Sequence, residues 1–506
     1  MKSTKIWNVI SVFLLAVQAA AEVLFTSAVL KLDMLPDRYI VLLCAVMGAL
    51  LLLTAGLLFL RGKKPVSTAR RIIAIILLVL ILAGCLIGAK MVMQAQQTIN
   101  TVTTQQPELE ENSMLVFVRE EDPAQTLADT AQYTYAIVAE YEEAAITEAF
   151  RLIQEQTGAE VSPKTYEDTA LLMDALLNGD VGAVIIHDAA IVLLSEEEGY
   201  LDLLDKVRIL HSFPMSQLEE TEPTTEPPTE PVKDMTNTPF AVYLTGSDTR
   251  SKKLKKSRSD VNILAIVNPE TKQILLINTP RDYYVANPAG KGKMDKLTNC
   301  GLYGPENSMK ILSDLYDVPV NYYAQINFTG VETLVDAIGG VTVYSTQTFT
   351  CGDLREYQIV KGNNYLNGKE ALAFARERYH VKGGDNGRGK NQMRVITAII
   401  TKATSGTTII SNYTQILNSM EGMFRTSVST EDMSAMVKMQ LDDMATWNIK
   451  SFAVTGEGGS EKTYSAPGHR SYVMHPHKYM VNHAASLAQK VVNGEILTDE
   501  DLVAKK

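Results

Sequence analysis

The chain has 506 residues, 47 Lys+Arg against 58 Asp+Glu, a formal net charge of -11 and 46% hydrophobic residues. That apolar share excludes a chain disordered throughout, and four cysteines are too few for a disulfide scaffold. The length calls for two to four domains. The acidic total argues against nucleic-acid binding only if it is evenly spread, and it is not. Residues 1–93 carry +7, residues 94–239 carry -23 and residues 240–506 carry +5.

The apolar residues concentrate at the start. Ile6–Leu30, Tyr39–Leu60 and Ile72–Met93 are each near the ~20 residues that span a hydrocarbon core. Lys2 and Lys5 precede the first run, and Arg61, Lys63, Lys64, Arg70 and Arg71 crowd the second connection. The first connection has only Lys31 and Arg38, beside Asp33 and Asp37. The positive-inside rule then puts the N-terminus and second connection in the cytoplasm, and everything after Met93 outside. This anchor, residues 1–93, bars the rest of the chain from cytosolic DNA and ATP.

Residues 94–112 are polar and read as a stalk. From 113 to 214 the pattern alternates in the manner of a small α/β domain. Met114–Val118, Tyr133–Ala139, Ala183–His187 and Val207–Leu210 read as strands, Glu142–Gln156 and Tyr166–Asn178 as helices. His187 reads as a strand-end residue rather than a ligand. Residues 215–239 contain TEPTTEPPTEP, a composition that packs no core and reads as a linker. Residues 240–405 read as a second α/β domain. Buried-strand runs such as Phe240–Leu244, Asn262–Val267 and Ile274–Asn278 alternate there with helical stretches such as Met309–Tyr316 and Thr329–Ala337. Residues 406–506, helical and then mixed, carry no recognisable chemistry.

Charged residues gather at the predicted strand ends, where open α/β sheets bind ligands. Asp248 follows the first strand, Arg258 and Asp260 precede the second, and Arg281 and Asp282 follow the third. Asp248 and Asp260 could hold one Mg²⁺, a cation that takes few carboxylates plus phosphate oxygens. In Ala375-Arg-Glu-Arg-Tyr379, an extended backbone would put Arg376 and Arg378 on one face with Phe374, and Glu377 on the other. Two same-face guanidiniums repel unless an anion lies between them, and Arg forks suit phosphate. The run Arg250–Arg258 has six positive charges and, outside the cell, reads as a solvated or headgroup-facing loop. Gly384–Lys390 nearly matches a phosphate-binding P-loop, but Asn391 replaces the Ser or Thr that such a loop needs. His475-Pro-His477 has no partner cluster nearby. Val395, Ile396, Ile399 and Ile400 form one apolar stripe, read as ordinary core. Cys300 and Cys351 lie where a disulfide can form.

In this order the pieces resemble the LytR–CpsA–Psr family. They are GSDTR at 246–250, RSD at 258–260, PRDYYV at 280–285, Gly339-Gly-Val341, Leu366-Asn-Gly368, ALAFARER at 371–378, and Asp385-Asn-Gly-Arg388 with Gln392. The three-span anchor and the extra small domain resemble its capsular-polysaccharide branch. The resemblance implies an α/β/α sandwich with an apolar tunnel for a polyprenyl chain. It implies a membrane-bound, extracytoplasmic phosphotransferase that moves a glycan, in this branch a capsular polysaccharide, from undecaprenyl pyrophosphate onto peptidoglycan, with pyrophosphate hydrolysis as a side activity. Asp248 and Asp260 would bind Mg²⁺. Arg258, Arg281, Arg376, Arg378 and Arg388 would clamp the pyrophosphate with Gln392 nearby, and Asp385 would orient an Arg or help with the acceptor proton. Many members have Arg where this chain has Asn391. A second function fits the same residues: a membrane sensor that binds the lipid pyrophosphate without turnover.

Overall fold

Three helices, Lys2–Leu32, Asp37–Phe59 and Thr68–Thr104, take up the apolar runs. Their membrane-length stretches are Ile6–Leu32, Asp37–Phe59 and Thr68–Gln94. The computed structural model describes residues 2–60, 67–104, 112–218, 230–247, 256–352, 357–405, 415–416 and 422–505. Burial in the bundle is inverted relative to a water-soluble protein. Leu24, Leu52 and Leu80 are exposed, whereas Gln18, Glu22 and Thr54 are buried between helices. Gln18 donates to Glu22 one turn away at 2.8 Å, so the polar pair faces the bundle interior. The third helix continues past the apolar run to Thr104, so the first part of the predicted stalk is helix.

The turn between the first two helices meets the far end of the chain. Met34 packs on Met433 and Val437 of the helix Thr430–Asp443. Lys438 pairs with Asp33 at 3.1 Å, and Arg38 donates to the carbonyls of Leu441 and Asp442, both at 2.7 Å. The first connection and the folded domains therefore lie on the same side of the bundle.

The small domain is a five-stranded sheet in the order Lys164–Tyr166, Tyr135–Val138, Ala183–His187, Ser113–Arg119, Val207–Pro214. The helices Glu143–Thr157, Thr169–Asn178 and Asp188–Ser195 cover its two faces. The residues 164–166 and 167–178 differ from the sequence reading. Tyr166 ends a short strand, and the helix begins only after Asp168, which caps it by accepting from Leu171 N–H. His187 does end a strand, and its Nδ1 accepts from Ala189 N–H to start the next helix.

The larger domain is built on six strands in the order Phe424–Thr426, Tyr322–Asn327, Phe240–Ser247, Val261–Asn268, Gln273–Asn278, Asn448–Ala453. The central strands are near-continuous apolar runs because helices cover both faces. On one face Tyr243, Leu264, Ile266 and Ile277 pack against Pro305–Tyr316 and Lys478–Val492. On the other, Ile263, Ala265 and Leu276 pack against Met393, Ile396 and Met436. The result is an α/β/α sandwich. Residues 406–506 do more than extend it: Asn448–Ala453 pairs in parallel with Gln273–Asn278 inside the central sheet, and Lys478–Val492 closes one of its cores. Of the predicted linker, residues 230–239 belong structurally to this domain. Met235 is buried in its core, and Val232 N–H donates to the Tyr322 hydroxyl.

The stripe on the helix Gly384–Thr404 divides between two cores. Val395 and Ile399 pack with Val335 and Phe374, while Ile396 and Ile400 pack under the sheet. The glycine-rich run 384–390 is itself the first turns of this helix, so it cannot wrap a phosphate as a P-loop does. Cys300 and Cys351 are both free and buried in different cores, which excludes the disulfide.

A hairpin, Gly456–Thr463 with Ala466–Pro476, joins the two folded domains. Tyr464 at its tip is buried in the small domain's core, and its hydroxyl donates to Glu142. Asp295, fully buried, anchors the same tip: it accepts from Ser465 N–H at 3.1 Å, from the Ser465 hydroxyl, and from Asn299 Nδ2 at 3.1 Å. Burial raises the Asp295 pKa despite these bonds. Asp295→Ala would leave several buried donors without an acceptor, so it is expected to lower stability by ~2–4 kcal/mol. Thermal unfolding measures the loss, and limited proteolysis shows whether the small domain has become separable.

Candidate functional site

The antiparallel strands Val261–Asn268 and Gln273–Asn278 place the start of one beside the end of the other, with Ile263 opposite Asn278. The strand Phe240–Ser247 ends on the same edge, with Gly246 opposite Val261. Residues distant in sequence therefore share one rim: Arg258 and Asp260 enter a strand there, and Arg281 and Asp282 leave one. Helix ends complete the site. Gly368–Arg376 terminates at Glu377, whose backbone turns extended, and Gly384–Thr404 starts with Asp385 in its first turn. Those ends suit their charges, Arg at a C-terminus and Asp at an N-terminus.

These elements surround a cavity of about 300 Å³ lined by Arg258, Asp260, Arg281, Arg376, Arg378, Arg388 and Gln392, with Phe328, Glu377 and Tyr379. All five predicted arginines and Gln392 converge. Asp385 stands behind the wall. It pairs with Arg388 at 2.5 Å and lies 3.9 Å from Arg281. Asp248 lies outside the described residues, as does the run 250–255 of the basic segment. Asn391 is buried, donating to the Phe374 carbonyl at 3.4 Å and accepting from Arg394 at 2.7 Å, and it does not line the cavity.

Arg281 is the centre of the charge network. It donates to Asp260 Oδ1 at 2.8 Å, and Asp282 lies 3.8 Å from its Nε. Burial works against its charge, but Asp260, Asp282 and Asp385 outweigh it and raise the pKa. Burial lowers the pKa of Arg388, with Asp385 opposing and Arg281 adding to the shift. Arg376 and Arg378 lie over aromatic faces, at 4.5 Å from the Phe328 centroid and 4.7 Å from that of Tyr379.

The Arg376 and Arg378 geometry differs from the extended reading. Arg376 is the last residue of a helix and the backbone turns extended only at Glu377, so the two side chains converge because the chain changes direction between them. Phe374 accordingly points into a core rather than along the arginine face. Glu377 is not solvated. It is 5% exposed, accepting from Gly352 N–H at 2.5 Å, Tyr379 N–H at 2.8 Å and His380 N–H at 3.0 Å. Its burial opposes ionisation, but those backbone bonds prevail and lower its pKa. The sequence signal for this residue is an acid between two arginines that need a fixed backbone.

His475 and His477 face different partners, Glu461 at 3.5 Å and Thr455 at 3.3 Å. Among the described residues no group of three or more His, Cys, Asp or Glu side chains is arranged to hold a metal. Asp260 offers a single carboxylate on the cavity wall.

A family model described as the LytR_cpsA_psr family matches residues 210–482. The chain is 35% identical over 223 residues to the polyisoprenyl-teichoic acid–peptidoglycan teichoic acid transferase TagU of Enterococcus faecalis (strain ATCC 700802 / V583), over 44% of this chain and 71% of that one. It is 32% identical over 231 residues to the TagU of Bacillus cereus (strain ATCC 14579), over 46% and 73%. The crystal structure of B. subtilis TagV aligns with a TM-score of 0.43 at 22% identity, over 51% of this chain and 99% of that one.

Two carboxylates of the site are expected to respond to substitution in opposite ways. Glu377→Ala would strip three backbone N–H groups of their acceptor, and is expected to cost ~2–4 kcal/mol. Thermal unfolding checks this. Asp282 is the opposite case. Burial raises its pKa, with Arg281 and Lys296 opposing. A carboxyl whose folded pKa lies above its unfolded value loses stability as pH rises through that interval. Asp282→Asn is therefore expected to raise Tm at pH 7, and by less at pH 5, as thermal unfolding at the two pH values would show.

Proposed function

The chain belongs to the LytR–CpsA–Psr family, and from that premise we propose that it is a membrane-anchored transferase that attaches a glycopolymer to peptidoglycan. The convergence of five arginines on one cavity carries this reading. The TagU relatives act, by name, on polyisoprenyl-teichoic acid and peptidoglycan. The donor proposed here is a glycan on a polyprenyl pyrophosphate carrier, undecaprenyl pyrophosphate in particular, with capsular polysaccharide as the glycan. The three apolar helices and the contacts of Asp33, Met34 and Arg38 with residues 433–442 support an extracytoplasmic site close to the membrane surface.

Phosphoryl transfer needs positioning and charge neutralisation more than a protein nucleophile. Arg376 and Arg378 reach the cavity from one wall, Arg281 and Arg388 from another, and Arg258 from the rim. A pyrophosphate set among them meets charge from several directions, as two negative phosphoryl groups require. Asp385 keeps Arg388 aimed, and Asp260 with Asp282 keeps Arg281 aimed. An acceptor sugar hydroxyl attacks the glycan-proximal phosphorus. Its oxygen–phosphorus bond forms, the bond to the polyprenyl phosphate breaks, the hydroxyl proton passes to the departing phosphate, and a phosphodiester remains. Asp260 and Asp248 would hold Mg²⁺, whose charge adds to that of the arginines on the phosphate oxygens.

The test uses the full chain in detergent with a lipid-pyrophosphate-linked glycan, Mg²⁺ and peptidoglycan. A covalent glycan–peptidoglycan product is expected, reduced by roughly 100-fold or more in Arg281→Ala and Asp260→Ala. Bound lipid with no product would favour the sensor instead. Full activity in both variants would overturn the site.

A further inference from the structure

The cavity's rim is not made by the larger domain alone. Arg258 sits in a segment held from two sides. After it, Ser259 N–H donates to Thr298 O at 3.0 Å, the Ser259 hydroxyl meets the Tyr243 hydroxyl at 2.7 Å, and Asp260 N–H donates to Gly246 O at 3.0 Å. Before it, Lys256 crosses to the small domain, donating to Asp188 Oδ2 at 2.5 Å and Asn112 Oδ1 at 2.7 Å. The Lys256 and Asp188 side chains are 11% and 13% exposed, so this is a largely buried ion pair. Arg258 itself pairs through Nη2 with Glu196 Oε2 at 2.5 Å, again on the small domain.

Asp188 and Glu196 bracket one helix. Asp188 is its first residue, and Glu196 caps its end with N–H bonds to Leu193 and Leu194 carbonyls. That helix is fixed independently of the two ion pairs. Tyr464 is buried in the same core as Ala190, Ile191 and Leu194, and the Tyr303 ring lies 5.4 Å from that of His187. The two carboxylates are therefore presented to Lys256 and Arg258 by a docked, packed element.

We propose that Asp188 and Glu196 are positioning residues for the transfer reaction: through Lys256 and Arg258 the small domain sets the rim of the pyrophosphate site. This rests on the reading of the cavity as a pyrophosphate site. Glu196 engages one terminal nitrogen of a five-donor fork, which limits where the guanidinium can swing while other donors of Arg258 remain for a phosphate. Lys256 tethers the chain two residues earlier, so Arg258 is restrained both at its backbone and at its head. The small domain thereby becomes part of the enzyme's donor recognition.

The test measures inorganic pyrophosphate binding by calorimetry with Mg²⁺, and transfer kinetics, on the full chain carrying Glu196→Gln, Asp188→Asn or Arg258→Ala. Glu196→Gln is expected to weaken pyrophosphate binding about three- to fivefold, as a half-exposed pair should. Asp188→Asn, which breaks the buried pair, is expected to weaken it about tenfold. Both are expected to raise KM for the lipid donor with kcat within about twofold, a split that general destabilisation would not produce. Glu196→Gln added to Arg258→Ala is expected to cause no further loss. If wild type binds pyrophosphate and both single variants bind it equally well, this inference falls while the transferase reading stands. Tighter binding by Glu196→Gln would make Glu196 a competitor of the substrate, and would also overturn it. A wild type that binds no pyrophosphate overturns the reading of the cavity and this inference with it.

Discussion

Five guanidinium groups in one cavity repel one another, and much of the site's construction serves to hold them there without a ligand. At the effective dielectric of a partly buried site, like charges a few ångströms apart oppose each other by several kcal/mol. The fold offsets this with acids on the cavity wall and behind it. Asp260, Asp282 and Asp385 surround Arg281, Asp385 also holds Arg388, and Glu196 holds Arg258. Phe328 and Tyr379 present ring faces to Arg376 and Arg378. Most acids lie behind or beside their arginines, so the cavity keeps a net demand for an anion. Two phosphoryl groups would meet that demand from within.

The same constraint explains why the helices approach so closely. Gly389 lies one residue after Arg388, and a Cβ there would overlap the buried Asn278 side chain. Glycine inside a helix normally costs about 1 kcal/mol relative to alanine. Here it lets the helix lie against the strand end that leads to Arg281, so that Arg388 and Arg281 can share Asp385. Gly368 plays the corresponding part for Arg376: a Cβ would overlap the Glu332 carbonyl, between two helices that pack backbone to backbone. Precision at the cavity thus depends on close approach elsewhere.

Much of this is legible in the sequence, and the residues that are not share a physical reason. Apolar runs of membrane length and the strands read from sequence are local signals of hydrophobic period, and they stand close to where patterning puts them, whereas Tyr322–Asn327, an interior strand of the sheet, carries no such signal. The order of the charged motifs locates the arginines, because strand ends and helix ends are where such residues can converge. What local pattern does not show is direction. Spacing alone puts Arg376 and Arg378 on one extended face, but they meet because a helix stops between them. Glu377 has the sequence context of a solvated neighbour, although its burial is set by Gly352, a residue 25 positions away that donates to it. Asn448–Ala453 carries no chemistry of its own, and only the sheet reveals that it completes the core beneath Arg281. Each of these depends on pairing across long separations, where sequence spacing carries no information.

The charge distribution along the chain takes on a structural meaning at this point. Residues 94–239 are strongly acidic and residues 240–506 mildly basic. If the two folded domains were independent, the acidity of the first would be a matter of solubility. They are docked, and the contacts pair acids of the first with bases or hydroxyls of the second: Asp188 with Lys256, Glu196 with Arg258, Glu142 with Tyr464. A strongly acidic body beside an anion site would repel a pyrophosphate donor unless its nearest carboxylates were already neutralised. Asp188 and Glu196 are the acids of that body paired with the segment entering the cavity, and each is neutralised by a base of that segment. The acidic domain can therefore stand at the rim of a basic cavity, shaping it, without cancelling its field.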